Sequence, residues 1–217
     1  MKIKTNSARE KALTWIECVM VIATLALLVL ILPALTPNGV PAKRIHCVNN
    51  LKQIGLAFRM FANDHGDEFP WRVPGAKGGA AEAADMGNIL PSYQAISNEL
   101  VNPKPLWCPT DLQREAANDY GRVSNANLSY FICREGHDGY PDTIITGDRN
   151  ITGGTISNGA LVLSLVKEAG WDTKLHNSVG NIGLADGSTL QVTPALLNAQ
   201  LQKMATKGID TVHLLNP

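Results

Sequence analysis

No C-x-x-C spacing occurs among the four cysteines, Cys18, Cys47, Cys108 and Cys133, so a zinc ribbon has no ligand pairs to start from. There is no H-E-x-x-H, no G-x-S-x-G, no phosphate loop and no dinucleotide fingerprint, and the chain is not expected to be an enzyme. Charge of one sign is missing too. The 19 basic and 19 acidic residues cancel, no long charge run interrupts them, and nucleic acid has no electrostatic footprint to meet. No internal repeat is visible. The hydrophobic content of 45% with 12 prolines and 19 glycines suits a compact, loop-rich fold. The 217 residues, less one apolar helix, leave about one domain of soluble sequence.

Charge is also absent locally, from Glu17 to Lys43, and there the apolar run Cys18 to Leu35 is broken only by Thr24 and Pro33. Residues 13–35 are expected to form a transmembrane helix, about 34 Å long against a hydrocarbon core of roughly 30 Å. Lys2, Lys4, Arg9 and Lys11 precede it with Glu10 as the one acid, so the N-terminus is expected in the cytoplasm, with the remainder extracytoplasmic. Glu17 is costly there, by about 2.5 to 3.5 kcal/mol, and by default calls for a functional partner. A secretory signal would have a shorter apolar region and a small-x-small cleavage site. A lipoprotein signal fails because Glu17 and His46, neither of them small, precede Cys18 and Cys47.

Pro33, Pro37, Asn38, Gly39 and Pro41 interrupt the helix beyond the span. From Ala42 to about Asp64, Cys47, Leu51, Ile54, Phe58 and Phe61 recur at helical spacing, an amphipathic continuation with one buried face. His65-Gly66 supplies a left-handed cap. Trp71 to Ala84 reads as a surface loop, Met86 to Val101 as containing a short helix, and Leu106-Trp107-Cys108-Pro109 as a short buried edge strand. Leu128 to Cys133, Thr143 to Thr146 and Leu161 to Leu165 are strand candidates. A three-residue loop, Ala185-Asp186-Gly187, would pair Ile182 with Leu190 and put Ile182, Leu184, Leu190 and Val192 on one face, with Gly187 left-handed. Thr193 then caps a helix from Pro194 to about Ala205.

Ala12-Leu13-Thr14-Trp15-Ile16-Glu17, followed by the apolar helix, resembles the class III signal of type IV prepilins and type II secretion pseudopilins, although Ala12 stands for the usual Gly and Trp15 for a smaller residue. The resemblance implies cleavage between Ala12 and Leu13 by a prepilin peptidase, N-methylation of Leu13 by the same enzyme, and a Glu17 that pairs in the fibre with the N-terminal ammonium of a neighbouring subunit. Removing residues 1–12 takes away four basic residues and one acidic residue and leaves a net charge of −3. Asn50-Leu51-Lys52-Gln53-Ile54-Gly55, Phe61-Ala62-Asn63-Asp64 and Phe69-Pro70 are similar to prepilin-like proteins that end in a His, nine residues, Asp-Gly motif. Here that motif is His176 followed by Asp186-Gly187. Cys47 and Cys108 lie in segments that recur in this family, CVNNLKQIG and LWCPTD. This favours a Cys47–Cys108 disulfide, with Cys108–Cys133 or free thiols as the alternatives.

The implied fold is α+β and pilin-like: a long N-terminal helix, transmembrane and then amphipathic, packed on a small antiparallel-sheet globular domain. The implied organisation is a leader at 1–12, a span at 13–35, an amphipathic segment at 36–64 and an extracytoplasmic globular domain at 65–217. The implied function is structural, as a subunit of a type II secretion or type IV pilus-like envelope fibre. It would sit in the inner membrane among lipid and meet the prepilin peptidase, other pilin-like subunits and an inner-membrane assembly platform. A membrane-anchored periplasmic ligand- or metal-binding domain is the rival.

His176 and Asp186 are the residues that would carry metal binding or catalysis in that rival, although Asp-Gly is what a hairpin turn wants on conformational grounds and a histidine near a sheet is most often a structural donor. Asn63-Asp64-His65-Gly66-Asp67-Glu68 is a candidate calcium loop, but its spacing is not that of an EF-hand and a solvated helix end explains it as well. No cofactor is otherwise indicated. His46, His137 and His213 stand alone, and Trp107, Tyr130, Phe131 and Trp171 read as core.

Overall fold

The structure is a computed structural model that describes residues 14–31, 40–164 and 167–217. The leader and the Ala12/Leu13 junction lie outside the described residues. The described chain divides into two units, one holding helix α1 (Trp15–Ile31) and the other running from Val40 to Pro217.

Helix α1 is apolar all round, and its side chains are largely exposed. A reciprocal cap starts it: the Thr14 amide donates to Glu17 Oε2 at 2.7 Å and the Glu17 amide to Thr14 Oγ1 at 3.4 Å. Its described length is about 26 Å. Among the described residues no helix is long and apolar enough to cross a membrane. The expected span, 13–35, runs past both ends of α1 into residues outside the description.

Helix α2 (Val40–Asp64) opens with Pro41 in its first turn, where a missing N–H costs nothing. Its stripe of Cys47, Leu51, Ile54, Phe58 and Phe61 is at most 2% exposed. Gly66 at φ 69° follows its end. Short helices α3 (Ala81–Asp85), α4 (Leu90–Ala95) and α5 (Ser97–Leu100) lie in the stretch expected to be a loop and a short helix, and Ala84, Tyr93 and Ile96 join the α2 stripe in one core.

The sheet is built from β1 (Tyr130–Cys133), β2 (Ile144–Asp148), β4 (Thr155–Ser157), β5 (Ala160–Ser164), β7 (Gly180–Leu184), β8 (Thr189–Val192) and β9 (Thr211–Leu215). It is antiparallel and seven-stranded, in the order β4-β5-β9-β1-β2-β7-β8. A separate ribbon pairs β3 (Ile151–Thr152) with β6 (Gly170–Trp171). Side-chain alternation gives β1 two buried faces: Tyr130 and Ile132 meet the α2 core, whereas Phe131 and Cys133 meet helix α6 (Pro194–Ala205) through Leu197, Leu201 and Met204. The sheet is therefore the middle of three layers, α2 with the short helices, then strands, then α6.

The β7–β8 hairpin pairs Ile182 with Leu190, its loop closed by the Gly187 amide to the Leu184 carbonyl at 2.9 Å, with Gly187 at φ 83°. Leu190 thus shares a face with Ile182 as expected, but it is 39% exposed, because β8 is an edge strand and nothing lies beyond it in the sheet. Thr193 caps α6, accepting the Leu196 amide. Leu106 to Pro109 is not a strand. Lys104–Leu106 is a 3-10 turn followed by extended Trp107, and Pro105 and Pro109 lack the amide hydrogens that a ladder needs.

Candidate functional site

Four separate segments bring cysteine, histidine and carboxylate together. Helix α2 presents Cys47 at the head of its buried stripe. The Trp107–Cys108 segment is tied to the same helix by Asn50 Nδ2, which donates to the Trp107 carbonyl at 2.7 Å. Cys47 and Cys108 are joined by a disulfide, and both are 0% exposed. His176 enters from the connection between β6 and β7, followed by Asn177 at φ 53° and Ser178 at φ 61°. Consecutive left-handed non-glycine residues are strained, by an amount on the order of 1 kcal/mol or more each.

The His176 ring is buried against the disulfide. Its Nε2 lies 3.6 Å from Cys108 Sγ, and Thr110 Oγ1 lies 3.4 Å from Nδ1 and 2.9 Å from Cys108 Sγ. Asp148, the last residue of β2, sets Oδ2 at 3.4 Å from His176 Nε2. That oxygen accepts the Asn181 amide at 2.8 Å and Asn181 Nδ2 at 2.9 Å, while Oδ1 is buried without a partner. Arg44, on the first turns of α2, donates to Asn181 Oδ1 and to the Gly180 carbonyl and so brings a guanidinium to the rim.

Burial dominates the electrostatics. It pushes the Asp148 carboxyl up to about 7 although the Asn181 amide and Arg44 pull it down. It also pushes His176 down to about 4, and Arg44 adds to that. Burial shifts both groups toward their neutral forms, which agrees with a separation longer than a charge-assisted hydrogen bond. A second buried pair lies beside the cluster. Arg149 grips Asp111 with two bonds, Nε to Oδ2 at 2.6 Å and Nη2 to Oδ1 at 2.8 Å, and adds a third to Gln113.

The structure does not bring His176 and Asp186 together. The five residues of β7 run between them, about 16 Å of strand, so the two ends of the motif sit at opposite ends of one strand. Asp186 works in the turn: its Oδ1 accepts the Ser188 amide at 2.8 Å and its carbonyl accepts Arg59 Nη1 at 2.6 Å. A Cβ on Gly55 would lie 3.6 Å from Gly187 Cα, so α2 closely approaches the hairpin there. Cys47 and Arg59 are twelve residues apart, about 18 Å of helix, which matches the strand. Helix α2 thus touches both ends of the His-to-Asp-Gly motif.

Several of the remaining candidates have local partners. In the Asn63–Glu68 segment, His65 stacks on Phe61 with ring centroids at 3.8 Å, and Glu68 faces Arg72 and His137. His213 Nδ1 lies 2.7 Å from Glu135. His46 lines a shallow cleft with Asn50, Gln53, Lys104 and Trp107. Tyr130, Phe131 and Trp171 are core residues, while Trp107 is half-buried. Among the described residues, the His, Cys, Asp and Glu side chains whose ligand atoms all converge within 4.8 Å are Cys47, Cys108 and His176. Sequence reasoning passed over Asp148, Arg44 and Thr110. Asp148 stands in Thr-Gly-Asp-Arg-Asn, which reads as a turn, and only β-pairing carries it under His176. Compared with known protein families, curated proteins and solved structures, the chain matches none.

Proposed function

We propose that the chain is a pilin-like structural subunit, cleaved between Ala12 and Leu13, methylated at Leu13 and assembled through its N-terminal helix into an envelope fibre of the type II secretion or type IV pilus kind. The observation that carries this reading is α1. It is a helix with apolar side chains exposed on every side and its one acid in the first turn, in the same chain as an α+β unit whose spine, α2, is buried along a single stripe. An apolar surface of that extent calls for lipid or for like helices. Glu17 is turned back toward the helix N-terminus, where its carboxylate holds the Thr14 amide. In the processed chain that is the end at which a neighbour's ammonium would pair with it.

Intact mass and N-terminal sequencing of the membrane-extracted protein, with and without an active prepilin peptidase, test the reading. A mature chain that begins at methylated Leu13 only when the peptidase is present is the expected result. A retained Met1 would overturn it. Glu17→Ala is expected to leave the protein in the membrane and abolish its incorporation into fibres, and normal incorporation would remove the role given to Glu17.

A further inference from the structure

The reading of the chain as a fibre subunit gives the buried cluster at His176 no role, and the cluster contains more than a disulfide requires. A disulfide needs no imidazole beside it. A buried carboxylate oxygen without a partner costs about 1–3 kcal/mol and wants a reason. We propose that Cys47, Cys108 and His176, with Asp148 as fourth donor, form a binding site for a zinc-type divalent cation when the disulfide is open, so that this position holds either the S–S bond or the metal.

The His176 distances match two edges of a tetrahedral site, whereas Asp148 lies outside the 4.8 Å group formed by Cys47, Cys108 and His176 and has to close on the sulfurs to serve as the fourth ligand. With Zn–N and Zn–S bonds of about 2.05 and 2.3 Å, the N-to-S edge of a tetrahedron is about 3.6 Å, and with Zn–O of about 2.1 Å the N-to-O edge is about 3.4 Å. His176 Nε2 lies 3.6 Å from Cys108 Sγ and 3.4 Å from Asp148 Oδ2. Cys47 Sγ belongs to the same 4.8 Å group and needs only the separation that breaking its bond allows. Thiolates with imidazole select zinc or similar ions over magnesium or calcium. His176, Cys47 and Cys108 are all buried, so the ion would be enclosed and structural.

Opening the site is a two-electron step. A phosphine reductant gives up an electron pair and becomes the phosphine oxide, with its oxygen taken from water. The two protons of that water end on Cys47 and Cys108 as thiols, and the incoming cation displaces both as the thiolates coordinate.

The test uses the full chain in detergent, reduced with a water-soluble phosphine, freed of reductant under anaerobic conditions and titrated with cobalt(II). Expected are a thiolate-to-cobalt charge-transfer band and the intense visible bands of tetrahedral cobalt in the reduced protein, with neither in the oxidised protein. His176→Ala is expected to weaken binding at least about tenfold, and Asp148→Asn to weaken it while keeping the charge-transfer band. A folded reduced protein that takes up no cobalt, or bands and affinity unchanged in His176→Ala, would overturn the proposal. If reduction unfolds the chain, refolding of the reduced protein followed by circular dichroism decides instead. Zinc chloride is then expected to restore the native spectrum and magnesium chloride to leave it unfolded. No zinc-dependent recovery would likewise overturn the proposal.

Discussion

Asp111 and Arg149 form the strongest polar contact near the site, and their worth follows from burial. Burial alone would raise the Asp111 carboxyl, but the two bonds and the charge of Arg149 outweigh it and hold the pKa below the ordinary value of 3.8. The carboxylate therefore contributes stability above the unfolded pKa and loses it as pH falls through the folded one. Arg149→Leu, which strands Asp111 at 1% exposure, is expected to cost about 3–5 kcal/mol in urea unfolding at neutral pH. The deficit should shrink as pH falls through the acid range, first as the variant's Asp111, raised by burial once Arg149 is gone, takes up its proton, and then as the parent's lowered Asp111 does so. A pH-independent deficit would show that Arg149 acts by packing rather than charge. At this scale the cysteines and His176 stood out in the sequence by type, but their partners did not. Thr110, Asp148 and Arg44 are ordinary surface-type residues until chain pairing buries them.

Among elements, the contact of α2 with the β7–β8 hairpin is set by two glycines. A methyl group on Gly55 meets Gly187 Cα at ordinary van der Waals distance, whereas a larger side chain has no room without lifting the helix. Gly55→Ala is expected to be close to neutral in thermal melts and Gly55→Leu to cost about 1–3 kcal/mol. Equal effects would mean that the hairpin shifts freely against α2. The N-cap of α6 is worth about 1 kcal/mol, so Thr193→Ala should lower stability by that amount and Thr193→Ser should not. These elements were legible beforehand because their signals are local: a 3.6-residue stripe in α2, a capping Thr before Pro194, and an Asp-Gly turn whose one sensible register puts Ile182 across from Leu190.

Over the whole molecule, two long-range closures hold the Val40–Pro217 unit together. The disulfide spans 61 residues, and opening a loop of that length releases about 4 kcal/mol of chain entropy to the unfolded state. Reduction without metal is expected to lower the urea midpoint accordingly, and Cys108→Ser should reproduce the loss without reductant. The other closure is β9, which lies between β5 and β1 although it is the last strand in the chain. Truncation after Asp210 removes a central strand and with it the burial of Val212, Leu214 and Leu215, so the cooperative melt should vanish. A retained melt would mean that the remaining strands close the sheet without it.

By itself the sequence determined whatever depends on neighbours along the chain. This covers the apolar, acid-headed helix, the buried stripe of α2, the hairpin register and the capped last helix, because each arises from spacing within about twenty residues. Tertiary structure alone decided the insertion of Thr211–Leu215 into the middle of the sheet, the separation of His176 from Asp186 by a full strand, and the convergence of Asp148 and His176 on the Cys47–Cys108 pair. Those outcomes depend on strand order and on which buried polar groups find partners, and short-range spacing carries no record of either.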